Sequence, residues 1–242
     1  MVSKNQIKLI TSLHQKKYRK QHQMFIAEGK KVIEELLLAQ YDLMYLFAKE
    51  NFFPQVDVSK VYAISDLELK RITALTTAND CLAVFKMPAE QLINNSGLVL
   101  ALDDVRDPGN LGTIIRLCDW YGIETLVCSH ESVDCYNPKV IQATMGSISR
   151  VNIVYTDLQD YITKSNLPVF GTFMDGDNIY QTKLPEEGII VMGNEANGIS
   201  TAIESLVSSR ISIPRFGKLQ QTESLNVSTA TAIILSEFKR NS

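Results

Sequence analysis

From Leu98 onward the chain alternates short apolar runs, turn residues and helical patterns, and few folds accommodate that order. Leu98 to Leu102 contains no polar residue, as expected of a strand covered on both faces. A helix is expected from about Asn110 to Tyr121, where Leu111, Ile114, Ile115 and Cys118 form a buried stripe. Thr125 to Cys128 reads as the next strand, followed by a helix near Pro138 to Ser147. Further strands are expected at Val151 to Val154, Val169 to Thr172, Gly188 to Met192 and Ile211 to Ile213, and a last helix from about Ser224 to Phe238. Such alternation implies an α/β domain, a mostly parallel sheet with helices on both faces.

Residues 1 to about 90 read as a separate, smaller α/β unit. Ile7, Ile10 and Leu13 mark the inner face of a first helix, and Phe25 to Ala27 is a short strand ending at Glu28-Gly29. Val32, Ile33, Leu36 and Leu37 recur at helical spacing. Tyr45 to Ala48, Val61 to Ile64 and Cys81 to Phe85 look like strands, and Ser65 with Glu68 is a capping-box pattern. The Pro, Asn, Ser and Gly residues after Lys86 suggest a linker. The expected division is therefore 1–90, a linker at 91–97, and 98–242.

With 242 residues, 45% hydrophobic and 21% charged, the chain can bury a core without disulfides or a structural metal. Cys81, Cys118, Cys128 and Cys135 form no C-x-x-C pair and have mostly apolar neighbours, so they read as free buried thiols. His14, His22 and His130 lack metal-ligand spacing, and no metal is expected. The start of the chain has no secretory pattern, and no apolar run has membrane-spanning length. The expected location is the cytosol.

Charge is uneven. The net value is −3, yet residues 1–31 hold eight Lys or Arg (Lys4, Lys8, Lys16, Lys17, Arg19, Lys20, Lys30, Lys31) against one acid, Glu28. A basic arm on an acidic body suits a phosphate-rich partner, and it also suits a solvated helix face. Tyr18 and His22 interleave with the charges as stacking residues would, whereas Phe25 reads as core. Lys16, Lys17, Arg19 and Lys20 are the candidate contacts to such a partner.

Ligands of parallel α/β sheets sit beyond the C-terminal strand ends, and three loops there stand out. Asp107-Pro-Gly-Asn110 is strong turn chemistry, followed by Gly112 and Arg116. Arg116 can lean back over Gly112 to hold a phosphate, or it can pair with Asp119 at i,i+3. Gly193-Asn194-Glu195-Ala196-Asn197-Gly198 matches neither a dinucleotide fingerprint nor a P-loop. Its two glycines allow close backbone approach to a flat ligand, or simply a helix-entry turn. Ile213-Pro214 leads through a polar stretch to Ser224-Leu225-Asn226-Val227, with Ser224 the candidate N-cap of an apolar, buried or subunit-facing helix.

Together, Asn110-x-Gly112-x-x-x-Arg116, Gly193-Asn194-Glu195 with Gly198, and Ile213-Pro214 with Ser224-Leu225-Asn226-Val227 resemble the three signature motifs of the SpoU–TrmH family. Asn137-Pro138-Lys139 to Ser147 is similar to the stretch between its first two motifs. Lys17-Tyr18-Arg19 and Phe25 to Gly29 are similar to the family's ribosomal-protein-like, RNA-recruiting domain. The resemblance implies a deep trefoil knot, homodimers with catalytic residues from both subunits, and S-adenosylmethionine held mostly through backbone atoms. Carried over, Gly193, Asn194, Ile213, Leu225 and Thr172 face the cofactor. Arg116, Asn110, Glu195, Ser224 and Asn226 make up the catalytic set. The family often has Gly where this chain has Ala196, which a backbone at negative φ would tolerate.

The implied reaction is methylation of a ribose 2′-hydroxyl in RNA, ribosomal RNA first and transfer RNA second. A guanidinium holds its proton at ordinary pH, so Arg116 reads as a clamp on RNA phosphate and a stabiliser of developing alkoxide. The segment from Arg215 through Phe216 to Lys218 can also touch RNA. A non-catalytic RNA-binding or ribosome-assembly factor, a base methyltransferase and a dinucleotide-dependent enzyme are the rival classes.

Overall fold

The computed structural model describes residues 2–89, 92–217, 219 and 224–240. The chain divides into two compact units, Met1–Ala89 with Asp134–Ser149, and Glu90–Val133 with Arg150–Ser242. The stretch 134–149 lies inside the range expected for the second domain, yet it packs in the first unit.

In the first unit the helices are α1 (Lys4–Ser12), α2 (Lys16–His22), α3 (Lys30–Leu38) and α4 (Asp66–Ile72). The strands are β1 (Met24–Glu28), β2 (Leu43–Ala48), β3 (Val61–Ala63) and β4 (Cys81–Lys86), in sheet order β1-β4-β2-β3. α1 and α4 start where Ser3 with Gln6 and Ser65 with Glu68 close capping boxes. Ile10, Leu13, Ile26, Phe47, Leu69 and Ile72 meet in one core. α2 is a second helix that the sequence pattern does not separate from α1. Within the first unit Arg19 and Asp134 form an ion pair at 2.6 Å, and the Phe25 and Tyr136 rings sit 4.8 Å apart.

The second unit opens with β5 (Leu98–Leu102), α5 (Pro108–Tyr121) and β6 (Thr125–Cys128). The segment 134–149 carries α6 (Pro138–Thr144). The second unit resumes with β7 (Asn152–Tyr155), α7 (Leu158–Lys164), β8 (Val169–Asn178), β9 (Gly188–Met192), α8 (Thr201–Glu204), β10 (Ser209–Ser212) and α9 (Val227–Phe238). Its six strands run in the order β10-β8-β9-β5-β6-β7, and every pairing is parallel. β5, β6 and β9 are buried throughout, which accounts for the unbroken apolar sequence of β5 and β9 and for the apolar run after Thr125 in β6. On one face Val99, Val127, Ile189 and Val191 pack with Leu158 and Ile162 of α7 and Ile203 of α8. On the other, Phe170 meets Phe238 of α9 edge-on at 5.3 Å, and α9 packs along α5. Leu, Ile and Val side chains buried at this depth each contribute about 1.5–3 kcal/mol.

Several expectations shift in detail. α5 begins at Pro108 rather than Asn110: the Asp107 carboxylate accepts from the Asn110 amide, and proline fits the first helical position. The Asp-Pro-Gly-Asn sequence is thus a helix start. α6 stops at Thr144, where Met145 and Gly146 turn left-handed at φ 52 and 99. β8 continues past Thr172 to Asn178, with a register shift against β10 between Arg210 and Ile211. Gly176 permits this pairing, because a Cβ there would lie 2.6 Å from the Ile211 carbonyl carbon. α7 and α8 have no counterpart in the sequence reading. Among the described residues no helix is long and apolar enough to cross a membrane.

Candidate active site

β9 ends at Met192, and the chain turns at once into a small closed loop. Asn194 and Gly198 exchange backbone hydrogen bonds of 3.0 and 2.8 Å. A Cβ on Gly193 would lie 2.3 Å from the Gly198 carbonyl carbon, so glycine is required there by the loop's own closure. Gly198 sits at φ +70, which favours glycine. Asn194 pins the loop from within. Its Oδ1 accepts from the amides of Ala196 (2.9 Å) and Asn197 (3.2 Å), and its Nδ2 donates to the Asp104 carbonyl (2.7 Å). Ala196 is absent from the left-handed region, so its methyl group is accommodated. Asp103 is buried, and its Oδ2 accepts from the Ser200 amide at 2.7 Å. Sequence reasoning gave Asp103 and Asp104 no role. The signal available was two acids directly after a buried strand.

The three loops meet through side chains. Asn226, not Ser224, caps α9: its Oδ1 accepts from the amides of Ser228 (3.0 Å) and Thr229 (3.3 Å) and from the Ser228 hydroxyl (2.6 Å). That use of the oxygen leaves the Asn226 amide nitrogen as the group facing outward, and it donates to Asn110 Oδ1 at 2.9 Å. Asn110 must then present its own nitrogen on the other side, where it donates to Glu195 Oε1 at 2.6 Å. A helix cap therefore sets the direction of a chain of hydrogen bonds that ends on a carboxylate. Residues 85 and 116 positions apart are joined in this way.

Beside this relay lies a cavity of about 1110 Å³, at the C-terminal ends of β9 and β10 and along Thr172–Met174 in the middle of β8. Thr172, Gly193, Asn194, Glu195, Ile213, Ser224 and Leu225, all singled out in the sequence, line it. Met192, Val227 and Ile234 add apolar wall. Thr172 donates its hydroxyl to the Val191 carbonyl at 3.0 Å, tying β8 to β9 at the cavity floor. Ser224 borders the cavity and is not the cap of α9. Arg215 and Phe216 are on the rim, whereas Lys218 lies outside the described residues.

Arg116 is on the exposed side of α5 and outside the cavity lining. Its alternative partner is taken: Asp119 Oδ2 accepts from Arg150 Nε at 2.9 Å. Among the described residues Arg116 makes neither an ion pair nor a hydrogen bond to the first loop.

The basic candidates of the first unit separate. Lys16, Lys17 and Lys20 are exposed, and Lys17 Nζ stands 5.8 Å over the Tyr18 ring. Arg19 is a correction. It is 2% exposed, its Nη1 donates to the carbonyls of Leu13 and His14, and its Nε and Nη2 hold Asp134. All three nitrogens are committed inside the fold, so Arg19 is not an RNA contact. The four cysteines are buried, and burial pushes the Cys81 thiol up to about 11.

A parallel α/β sheet, a cavity at its C-terminal strand ends and a polar relay between three loops define a small-molecule-using enzyme of the doubly wound class. Residues 97–236 match the SpoU rRNA methylase family, and residues 4–83 match the MRM3-like substrate-binding domain. The chain belongs to the SpoU rRNA methylase family. It is 31% identical over 242 residues to the Bacillus subtilis 23S rRNA guanosine 2′-O-methyltransferase RlmP, covering 96% of each chain. Among solved structures it resembles an RNA methyltransferase of the TrmH family from Porphyromonas gingivalis (39% identity, TM-score 0.90, all of both chains). It also resembles the AdoMet-bound rRNA methyltransferase from Sinorhizobium meliloti (28% identity, TM-score 0.84, 99% and 97% of the two chains).

Proposed function

We propose that this protein transfers a methyl group from S-adenosylmethionine to a ribose 2′-hydroxyl of ribosomal RNA. The observation that carries the reading is the Asn226–Asn110–Glu195 relay set against the cavity, because it joins all three family motifs in one site. The relatives named for 23S rRNA 2′-O-methylation and for bound AdoMet support the substrate and the cofactor.

The cavity suits that cofactor. Apolar walls at Ile213, Leu225, Val227 and Ile234 accept a flat ring, and Thr172, Glu195 and Ser224 give it a polar edge. When bound, S-adenosylmethionine supplies a methyl group already activated on sulfur. The protein's task is then placement, which can be worth about 7–11 kcal/mol of barrier. Glu195, held by Asn110, shapes the end of the cavity, and Ser224 and Asn226 position the ribose. Arg116 clamps the phosphate and stabilises the developing alkoxide.

Arg116 lies outside its own chain's cavity, which supports a homodimer in which each subunit lends Arg116 to a site on the other. The apolar residues around α9 and the knot implied for this family belong to the same reading. The exposed lysines of α2 recruit RNA, so the first unit acts as the substrate-binding domain. The test is a transcriptome-wide map of ribose methylation with and without the gene. One ribosomal 2′-O-methyl mark should vanish on deletion and return with the wild-type gene. An unchanged map would sink the proposal.

A further inference from the structure

Two aromatic rings at the cavity mouth have no place in the site described so far. Phe216 is 82% exposed although it borders the cavity, and Tyr180 is 40% exposed. Their rings stack, with centroids 6.4 Å apart and planes 29° from parallel. Tyr180 is firmly held. Its amide donates to Asn178 Oδ1 at 3.0 Å, the Thr182 hydroxyl closes on the Asn178 carbonyl at 2.9 Å, and neighbouring Ile179 is fully buried. The backbone that carries Tyr180 is thus held in place, and its ring backs Phe216 at the cavity edge.

We propose that Phe216, backed by Tyr180, is the platform on which the nucleobase of the acceptor nucleotide stacks. The inference rests on the methyltransferase reading above. A 2′-hydroxyl that enters the cavity belongs to a ribose whose adjacent carbon, C1′, carries the base. That base must therefore lie at the cavity mouth, where Phe216 stands. Aromatic stacking suits any base, because every base has a π-face. The platform places the nucleotide, and sequence choice is left to contacts elsewhere. Tyr180 is not part of the cavity lining. A second copy of the chain is the competing occupant.

The test uses the full-length protein and 23S rRNA transcribed in vitro. Phe216→Ala and Tyr180→Ala should raise KM for RNA roughly 5- to 150-fold, the range for losing one stacked base. For Tyr180→Ala, which lies outside the cavity lining, affinity for S-adenosylmethionine, read by calorimetry, and molecular mass in solution should stay as in wild type. Phe216→Trp should restore KM and Phe216→Leu should not, which separates stacking from simple apolar cover. Once the methylated position is mapped, an RNA fragment abasic at that nucleotide should bind wild type and Phe216→Ala equally. An unchanged KM, or a weakened cofactor affinity or reduced mass of Tyr180→Ala, overturns the platform while leaving the methyltransferase reading intact. Wild-type protein that transfers no methyl to RNA overturns both.

Discussion

Arg19 and Arg116 invite a comparison. Each sits on a helix, and each was a reasonable candidate for gripping RNA. Arg19 of α2 is sealed, with three nitrogens satisfied by two carbonyls and the Asp134 carboxylate. Arg116 of α5 is open, and the acid one turn away is occupied by Arg150. The difference lies in the neighbours. A guanidinium whose donors are all used inside the protein is architecture. One left in water is available for an anionic substrate.

Four measurements can break or sharpen that contrast. The largest effect is expected for Arg116→Ala, which should slow methyl transfer roughly 10²–10³-fold or more. Its unfolding free energy should stay within about 0.5 kcal/mol of wild type, and cofactor binding should be intact. A mutant that methylates at the normal rate would remove Arg116 from the site. Arg19→Ala should do the reverse, costing about 3–5 kcal/mol in denaturant unfolding by emptying a buried guanidinium site and stranding the half-buried Asp134. Arg19→Lys should recover only part of this, because an ammonium cannot reproduce the guanidinium fork.

Third, Asn110→Ala should lower kcat roughly 10- to 150-fold, as expected when a hydrogen bond to a charged group is lost. Asn110→Asp should be worse, since it still accepts from Asn226 but confronts Glu195 with a second carboxylate. Equal activity of the two variants would disprove the relay's direction. The smallest effect is expected at Glu28. It is buried against Thr73 Oγ1 (2.6 Å) and the Ala74 amide (2.8 Å), and desolvation raises its pKa above the ordinary 4.5. Its contribution is fullest below the unfolded pKa and is lost as pH rises through the higher folded one. Glu28→Gln should flatten that slope of stability just above pH 4.5, and an unchanged profile would show that another group controls it.

Much of this was legible in the sequence. β5 and β9 lie where unbroken apolar runs stand, and β6 where one follows Thr125, because burial on both faces favours apolar residues. The far half of β8 was hidden, because Met174-Asp175-Gly176-Asp177 reads as a loop although Gly176 packs tightly on β10. α7 was missed despite its Asp157 cap, since seven residues barely display helical periodicity. Within the site, the motif residues were visible but their wiring was not. Ser224 and Asn226 are both plausible caps on paper, and only the geometry of α9 decides between them. Arg19 gave no local sign of burial, because its partner is 115 residues away.

The placement of residues 134–149 in the first unit changes what a domain boundary means here. The polypeptide passes between the units three times, near residues 89, 133 and 149, rather than once. Cutting at the linker would therefore release no self-sufficient N-terminal piece. It would strip Arg19 of its counter-ion and Phe25 of its ring neighbour Tyr136. The two units are compact bodies but not two interchangeable genetic parts. Neither can be swapped for a relative's version without carrying a piece of the other.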